Sequence, residues 1–478
     1  MSSFKQKFIS GAAWNGSARI YSQAISFIST ILLARILEPK DFGILAMVTA
    51  ITGFLGYFSD PGVITNIVRK ENVDAQELNT AHWMAVVFSL VITGIIFLAA
   101  PLLGYFYEND TVVALARVMA IIFVMTACTM VPTGLCVKNL DYKTISIIRI
   151  IAATVSMVVA VKMAYSGGGV WALVFQQVTL NLLLMLGIMM FVQWHAQLTF
   201  SLDKLKEQLS FGKHIIGNNL LKFGSENIDQ IIIGRMLGAN ALGLYSMALR
   251  LSRYPITILG RVAGTVFLSA IAHLQNQPEK LTTNVTAGSL VISIIAAPAL
   301  VFLFLNGESL AVFALGEKWA STGSLIQIFI PLICLQLLGF MDTSCAIVLN
   351  LISKANKLLL IFLLLFIALA IPGAYYIGIT GVAMSYVIAF GLYQVALKNS
   401  INNGLGIDTI RQLIEGLPIW IYYIVVISIH FLSINILNST SYFSASPKIL
   451  IAVSALCTSL IFIPLLYRYR HLLAKIRR

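Results

Sequence analysis

Long runs of apolar residues, separated by short polar segments, recur along the whole chain. Each run reaches about 20 residues or more, which is the length that an α-helix needs to cross a lipid bilayer. A transmembrane β-barrel would instead show short segments of alternating hydrophobicity. The pattern therefore predicts an all-α, polytopic membrane protein with about 14 transmembrane helices.

Polar residues set the limits of the predicted spans, and two of the spans are longer than a bilayer requires. We place them at 9–36, 42–66, 81–107, 112–137, 144–165, 169–193, 213–237, 241–272, 284–306, 320–351, 356–377, 380–402, 413–437 and 448–467. The long segments 241–272 and 320–351 are expected to bend or to extend beyond the membrane. Residues 194–212 combine spaced leucines with charged residues and predict an amphipathic surface helix.

An internal repeat divides the predicted spans into two halves. At an offset of 200 residues, segment 31–37 resembles segment 231–237, and Gly43 corresponds to Gly243. Because six spans separate the copies, both begin on the same side and are related by an axis along the membrane normal. The expected domains are a six-helix half at 1–193, a cytoplasmic amphipathic linker at 194–212, a second six-helix half at 213–402, and two further helices with a basic cytoplasmic tail at 403–478.

Composition agrees with a membrane protein, and the positions of the charges give an orientation. The 478 residues are 59% hydrophobic and 11% charged, with a formal net charge of +13 and a mean hydropathy of +0.89. With the N-terminus in the cytoplasm, nineteen Lys and Arg residues, Lys398 among them, fall in cytoplasmic segments and three in outer loops. Since short cytoplasmic loops are rich in Lys and Arg, we expect both termini in the cytoplasm and no nucleic-acid partner.

Two adjacent spans carry polar stripes that are unusual inside a membrane. About a third of the circumference of span 213–237 holds Asn219, Lys222, Ser225, Glu226 and Asp229. After a short turn at 238–240, one face of the next span holds Ser246, Arg250, Arg253, Thr257 and Arg261. Ionised groups within a span are costly and usually face a bundle interior or a water-filled cavity. The stripes predict the wall of a polar passage; the alternative is a set of ion pairs that only fixes helix packing.

The first and fifth spans add further cations. One face of the first holds Asn15, Arg19, Ser22, Ser26 and Ser29, and one face of the fifth holds Ser146, Arg149 and Ser156. Serines alone are often packing devices, but an arginine within the stripe favours a cavity lining. Across the predicted spans, ten cations outnumber five acids. The passage should therefore favour an anion such as a phosphate, which guanidinium groups bind bidentately.

The sequence contains no motif that points to catalysis, a cofactor or a metal. Its six histidines are scattered, and its five cysteines lie in apolar runs without CxxC spacing. No P-loop sequence of the type Gly-x4-Gly-Lys-Ser/Thr is present. We therefore expect a transporter rather than an enzyme, with no cofactor and no metal site.

Several local stretches resemble a known transporter family. Residues 33–43 read Leu-Ala-Arg-Ile-Leu-Glu-Pro-Lys-Asp-Phe-Gly, residues 58–62 read Phe-Ser-Asp-Pro-Gly, and residues 250–255 read Arg-Leu-Ser-Arg-Tyr-Pro. These stretches resemble Wzx-type flippases of the multidrug/oligosaccharidyl-lipid/polysaccharide superfamily, especially exporters of colanic acid or lipopolysaccharide units. The family pattern often has an aliphatic residue where Pro61 stands, so the sequence departs from the pattern at this position.

The resemblance implies a specific substrate and location. Such proteins flip undecaprenyl-diphosphate-linked oligosaccharides between the leaflets of the bacterial inner membrane. Their implied partners are that lipid, the membrane lipids, and the polysaccharide polymerase with its chain-length machinery. Two alternatives are a drug/cation antiporter of the same superfamily, which would favour an acidic passage, and a membrane-embedded glycan polymerase or transferase, which would need larger extramembrane regions.

Residues and resemblance together predict an alternating-access flippase with a cationic cavity between its halves. The candidate contacts to the diphosphate or to acidic sugars are Arg19, Arg149, Lys222, Arg250, Arg253 and Arg261. The candidates for coupling to a proton or cation are Glu226 and Asp229. Burial raises the pKa of a carboxyl group and a nearby cation lowers it, so these acids either switch protonation or act as static counter-charges.

Overall fold

The computed structural model describes residues 2–59, 62–273, 278–349 and 351–405, and the regular structure in these segments is helical. Eight of the described helices are long and apolar enough to cross a membrane. The prediction of an all-α, polytopic membrane protein is therefore confirmed. The predicted spans at 413–437 and 448–467 lie outside the described residues.

Eight helices precede residue 237, and a further six follow it in the described part of the chain. In order they are α1 (Ser2–Ile36), α2 (Pro39–Ser59), α3 (Val63–Arg69), α4 (Ala75–Tyr107), α5 (Thr111–Lys138), α6 (Tyr142–Tyr165), α7 (Val170–Phe191) and α8 (Leu202–Met236). The second set is α9 (Gly238–His273), α10 (Pro278–Leu315), α11 (Ala320–Leu338), α12 (Asp342–Val348), α13 (Ile352–Tyr376) and α14 (Ile379–Leu405). A 3-10 turn at Glu317–Trp319 precedes α11.

The chain forms two compact units, Met1–Gly243 and Leu244–Arg478. In the first unit, α4 packs on α5, α6 packs on α7, and α1 lies along α6. Helix α8 packs on α2 and α4 of this unit, although the internal repeat assigns it to the second half. In the second unit, α10 packs on α11, and α13 packs on α14. The division at residue 213 that the repeat suggests remains a prediction.

Two predicted spans are interrupted in the structure. The span 42–66 is divided between α2 and α3, and Gly62 at the start of α3 has a φ of 79°, which glycine adopts without steric cost. The span 320–351 is divided between α11 and α12, with residues 339–341 between them. The break within 320–351 agrees with the expected bend of that long segment. The break before α3 was not predicted, because hydropathy reports the solvent of a segment and not its backbone conformation.

The segment before α8 and the turn after it also differ from the predictions. Residues 192–201 are not helical, and α8 begins at Leu202 and continues without interruption to Met236. The prediction of a separate amphipathic surface helix at 194–212 is therefore wrong, and the assignment of this segment as a cytoplasmic linker remains a prediction. The turn predicted at 238–240 is reduced to Leu237, because Gly238 adopts a φ of 81° and α9 begins there.

The start of α2 and the start of α9 make a close backbone contact. A Cβ atom on Gly43 would overlap the carbonyl oxygen of Ala239, and one on Gly243 would overlap the carbonyl oxygen of Pro39. These contacts are reciprocal at an offset of 200 residues, as expected for two segments related by a two-fold axis. Only glycine allows backbones to approach this closely, which explains why it occupies both positions.

Candidate functional site

The first unit brings together two of the predicted cationic residues. Arg19 lies on α1 and Arg149 lies on α6, and these helices pack along each other. Arg19 is exposed, Arg149 is half-buried, and their guanidinium groups are close enough for electrostatic repulsion. The packing of α1 on α6 thus places two positive charges on one surface of the unit.

The charge of this pair is not neutralised by its described neighbours. Arg19 Nε donates to Asn15 Oδ1 at 3.1 Å, a contact one helical turn away that orients the side chain but supplies no negative charge. Among the residues whose side chains the structure describes, no carboxylate lies within ion-pair distance of Arg19 or Arg149. Two neighbouring guanidinium groups without a counter-charge form a suitable site for a phosphate or carboxylate.

Three serines of the first-span and fifth-span stripes, Ser29, Ser146 and Ser156, are buried between helices. Gln176 Nε2 on α7 donates to the buried Ser29 Oγ at 2.7 Å, and Tyr21 on α1 shares a hydrogen bond of 3.0 Å with Thr154 on α6. In the fifth-span stripe, Ser146 is buried, and the buried Ser156 donates to the carbonyl oxygen of Ala153 at 3.0 Å. The alternative of helix packing therefore holds for these polar residues, whereas the arginines stand apart from it.

The two candidate acids on α8 lie in different environments. Asp229 is fully buried, and its Oδ1 accepts a hydrogen bond of 2.8 Å from the backbone nitrogen of Gln230. Glu226, one turn earlier, is exposed. The side chain of Lys222 lies outside the described residues. The structure thus does not bring the two carboxyl groups into one shared environment.

In the second unit, the predicted cations on α9 differ in their contacts. Arg250 is exposed. Arg253 is half-buried; its Nη2 donates to the hydroxyl of Tyr386 at 2.8 Å, and its guanidinium carbon lies 5.9 Å from the centre of that ring. Because Tyr386 is itself buried, this contact holds Arg253 against α14. The side chain of Arg261 lies outside the described residues.

An ion pair in the second unit was not predicted from the sequence. Lys398, which was counted on the cytoplasmic side near the end of span 380–402, lies within α14, and its Nζ is 3.4 Å from Oδ1 of Asp342 on α12. Asp342 is 2% exposed, and its Oδ2 has no hydrogen-bond partner within the described part of the chain. The isolated acid in the long apolar segment 320–351 was the available signal, but its partner lies 56 residues away.

A family model and curated relatives both connect this chain with polysaccharide biosynthesis proteins. The family model described as "Polysaccharide biosynthesis protein" matches residues 32–323. The chain is 24% identical over 392 residues to the lipopolysaccharide biosynthesis protein WzxC of Escherichia coli (strain K12), covering 81% of this chain and 79% of that protein. It is 22% identical over 308 residues to the succinoglycan biosynthesis transport protein ExoT of Rhizobium meliloti (strain 1021), covering 64% and 62%.

A solved structure shares the fold at low sequence identity. The lipid II flippase MurJ in an inward closed conformation matches with a TM-score of 0.76 and 11% identity, covering 96% of this chain and 99% of that chain. At this identity the match establishes the arrangement of helices and leaves chemistry to the residues themselves.

Proposed function

The chain belongs to the polysaccharide biosynthesis protein family, and from this premise we propose that it flips a lipid-linked oligosaccharide across the membrane. The proposed substrate is an undecaprenyl-diphosphate-linked repeat unit for exopolysaccharide or lipopolysaccharide assembly. The head group would pass through a cationic cavity by alternating access, while the polyprenyl chain stays in the surrounding lipid. The fold shared with a lipid II flippase supports this mode of transport.

The proposal rests mainly on one observation: Arg19 and Arg149 lie on two helices that pack together, and no described carboxylate pairs with either of them. A diphosphate presents several oxygens and two or more negative charges, so it can accept hydrogen bonds from both guanidinium groups at once. Binding would also remove the repulsion between the two arginines. A neutral or cationic drug offers neither gain, which disfavours the drug/cation antiporter.

We assign the other candidate residues to substrate contact, to helix packing or to coupling. Arg250 is exposed and available for a second contact to the head group, and we retain Lys222 and Arg261 as candidates. Arg253 is restrained by Tyr386, so we assign it mainly to holding α9 against α14. Asp229, buried on α8, remains the stronger candidate for coupling, and the exposed Glu226 the weaker.

The proposed setting follows from the charge distribution and from the family. We place the protein in the bacterial inner membrane with both termini in the cytoplasm. Its proposed partners are the lipid-linked oligosaccharide, the membrane lipids, and the polysaccharide polymerase with its chain-length machinery. A membrane-embedded glycan polymerase or transferase is disfavoured by the short segments that connect the described helices.

Binding of a prenyl diphosphate to the purified protein tests the proposed site. Arg19→Glu and Arg149→Glu should each weaken binding about tenfold or more, because each removes a charge-assisted hydrogen bond and adds repulsion. Lys162→Glu is the matched control, since Lys162 is an exposed cation near the other end of α6. Equal affinity for the wild type and both arginine variants would reject the site, as would an equal loss in the Lys162 control.

A further inference from the structure

Within the first unit, helix α8 contacts its neighbours near its start, its middle and its end. The side chains that make these contacts differ along the helix. Near its middle, the buried Phe223 packs against Phe54 on α2 with ring centres 5.6 Å apart. The end at Leu202 is held by charged and polar side chains and by Leu205, which packs against an apolar cluster of α3, α4 and α5. The end at Met236 is held by the close contact of Gly234 with the Tyr107 ring. This difference determines which end can separate from its neighbours.

The Leu202 end is held by an ion-pair network between α8 and the α3–α4 connection. Lys70 Nζ lies 2.9 Å from Glu207 Oε1 and 2.5 Å from Glu77 Oε1. Lys204 Nζ lies 3.3 Å from Asp74 Oδ2 and 3.8 Å from Glu77 Oε2. We call these five residues the latch. Lys70, Glu77 and Lys204 are partly exposed and Asp74 and Glu207 are exposed, so water can replace each contact when it breaks.

An under-satisfied amide contact lies beneath the latch. Asn66 Nδ2 donates to Gln208 Oε1, and both residues are buried. The Gln208 Nε2 atom is buried without a hydrogen-bond partner among the described residues. Since a buried donor without a partner is destabilising, the closed position of α8 is held less firmly here than a fully bonded core would be.

The segment before α8 stays attached to α4 by separate contacts. The Gln197 backbone nitrogen donates to Asn79 Oδ1 at 3.0 Å, and Trp83 Nε1 donates to the Gln197 carbonyl oxygen at 2.9 Å. The Ser201 backbone nitrogen donates to Thr80 Oγ1 at 3.1 Å. These bonds end at residue 201, so α8 can tilt while the preceding segment remains in place.

The Met236 end is held by contacts that leave no space. A Cβ atom on Gly234 would lie 2.8 Å from the buried Tyr107 ring, and the Gly43–Gly243 backbone contact follows immediately. One exposed ion pair, Arg235 Nη1 to Glu108 Oε1 at 2.5 Å, joins this end to the α4–α5 turn. Close backbone packing of this kind allows rotation about the contact but resists separation.

We propose that α8 pivots at its Met236 end, where Gly234 packs on Tyr107 beside the Gly43–Gly243 contact of α2 with α9, and that the latch controls whether its Leu202 end is closed against α4. Breaking the latch would open a gap between α8 and the α3–α4 connection while the glycine contact stays intact. This motion goes beyond the proposed transport function, and its test requires no substrate. The polar stripe of α8, including Glu226 and Asp229, would change its surroundings with the tilt.

Two pairs of spin labels separate movement of α8 from movement of the glycine contact beside it. Labels at Gln76 and Asp203, both exposed, report the latch end of α8, and labels at Lys40 and Asn240, both exposed, report the contact between α2 and α9. The five native cysteines are replaced in this background. Glu207→Lys removes one latch contact and adds repulsion with Lys70. Glu71→Lys is the matched control, because Glu71 is an exposed acid of the same connection and joins no ion pair among the described residues.

The expected result is a several-fold larger population of long Gln76–Asp203 distances in Glu207→Lys. The Lys40–Asn240 distribution should not change, and Glu71→Lys should resemble the parent. If Glu207→Lys does not fold, raising the salt concentration on the parent protein gives the same test, since salt screens exposed ion pairs. An unchanged latch-end distribution under both treatments, or an equal change in both label pairs, would overturn the proposal.

Discussion

At the scale of single residues, Arg19 and Arg149 are best explained as a site that an anion completes. The charge of Arg19 acts on the half-buried Arg149, and the described neighbours supply no counter-charge. Arg253 shows the contrasting case, in which Tyr386 provides both a hydrogen bond and a ring face. We therefore expect the anionic part of the substrate to bind Arg19 and Arg149 rather than Arg253.

The latch gives a residue-scale prediction about pH. A hydrogen bond from the Glu77 backbone lowers the pKa of Asp74 below 3.8, and a hydrogen bond from Lys70 lowers the pKa of Glu207 below 4.5. Burial lowers the pKa of Lys70, but its hydrogen bonds to Glu207 and Glu77 and their charges outweigh this and raise it above 10.5. The hydrogen bond that lowers the pKa of Asp74 caps α4 and persists when the latch opens, so the acid limit comes from Glu207. Glu207 stabilises the latch above pH 4.5 and loses this effect as pH falls through its lowered pKa. The raised Lys70 stabilises it below pH 10.5 and loses this effect as pH rises through its own pKa.

The latch-end distance should therefore be constant between pH 4.5 and 10.5 and should lengthen outside this window. Spin-label distances between positions 76 and 203, recorded across the pH range, check the prediction. Glu207→Gln is the control, because it should remove much of the response at acid pH. A transition near neutral pH would show that other groups control the latch.

Sequence patterns could predict which polar residues share a helix face, but not which residues on other helices form hydrogen bonds or ion pairs with them. The i, i+4 spacing of Asn15 and Arg19 predicted their common face, and their hydrogen bond confirms it. The partner of Arg253 lies 133 residues away, and the partner of Lys398 lies 56 residues away. Such contacts depend on how the helices pack, which a single sequence does not specify.

At the scale of elements, the contact between α2 and α9 depends on two glycines. Because both backbones occupy the space that a Cβ would need, neither position accepts a side chain without moving a helix. The reciprocal geometry agrees with the sequence correspondence of Gly43 and Gly243, so here the repeat did predict a structural relation. The interruption at Gly62 could not be read from hydropathy in the same way.

Substituting either glycine by alanine should destabilise the protein to a similar extent. Gly43→Ala and Gly243→Ala are each expected to lower the free energy of unfolding by about 1–3 kcal/mol, the usual range for overpacking. Thermal unfolding of the purified protein in detergent measures the effect. Gly94→Ala is the control, because a Cβ there would have no atom within 4 Å and alanine favours a helix. Alanine variants of Gly43 and Gly243 as stable as that control would contradict the close contact.

At the scale of the whole molecule, apolar runs predicted the membrane class correctly because bilayer thickness fixes helix length. Eight described helices meet that criterion. Helix α8 carries Ser225, Glu226 and Asp229, and α9 follows it after Leu237. A helix this polar is tolerated in a membrane only where protein or water covers it. The polar stripe of α8 must therefore face protein or water, and we propose that the charged head group moves along such a surface rather than through lipid.

Translocation by the purified protein in lipid vesicles measures whether it moves a charged lipid-linked head group across a membrane. The vesicles contain a polyprenyl-diphosphate-linked oligosaccharide, and the fraction accessible to a reagent on the opposite side is followed over time. The account predicts protein-dependent translocation that Arg19→Glu combined with Arg149→Glu abolishes and Lys162→Glu leaves unchanged. Translocation no faster than in protein-free vesicles, or translocation that the double arginine variant retains, would contradict it.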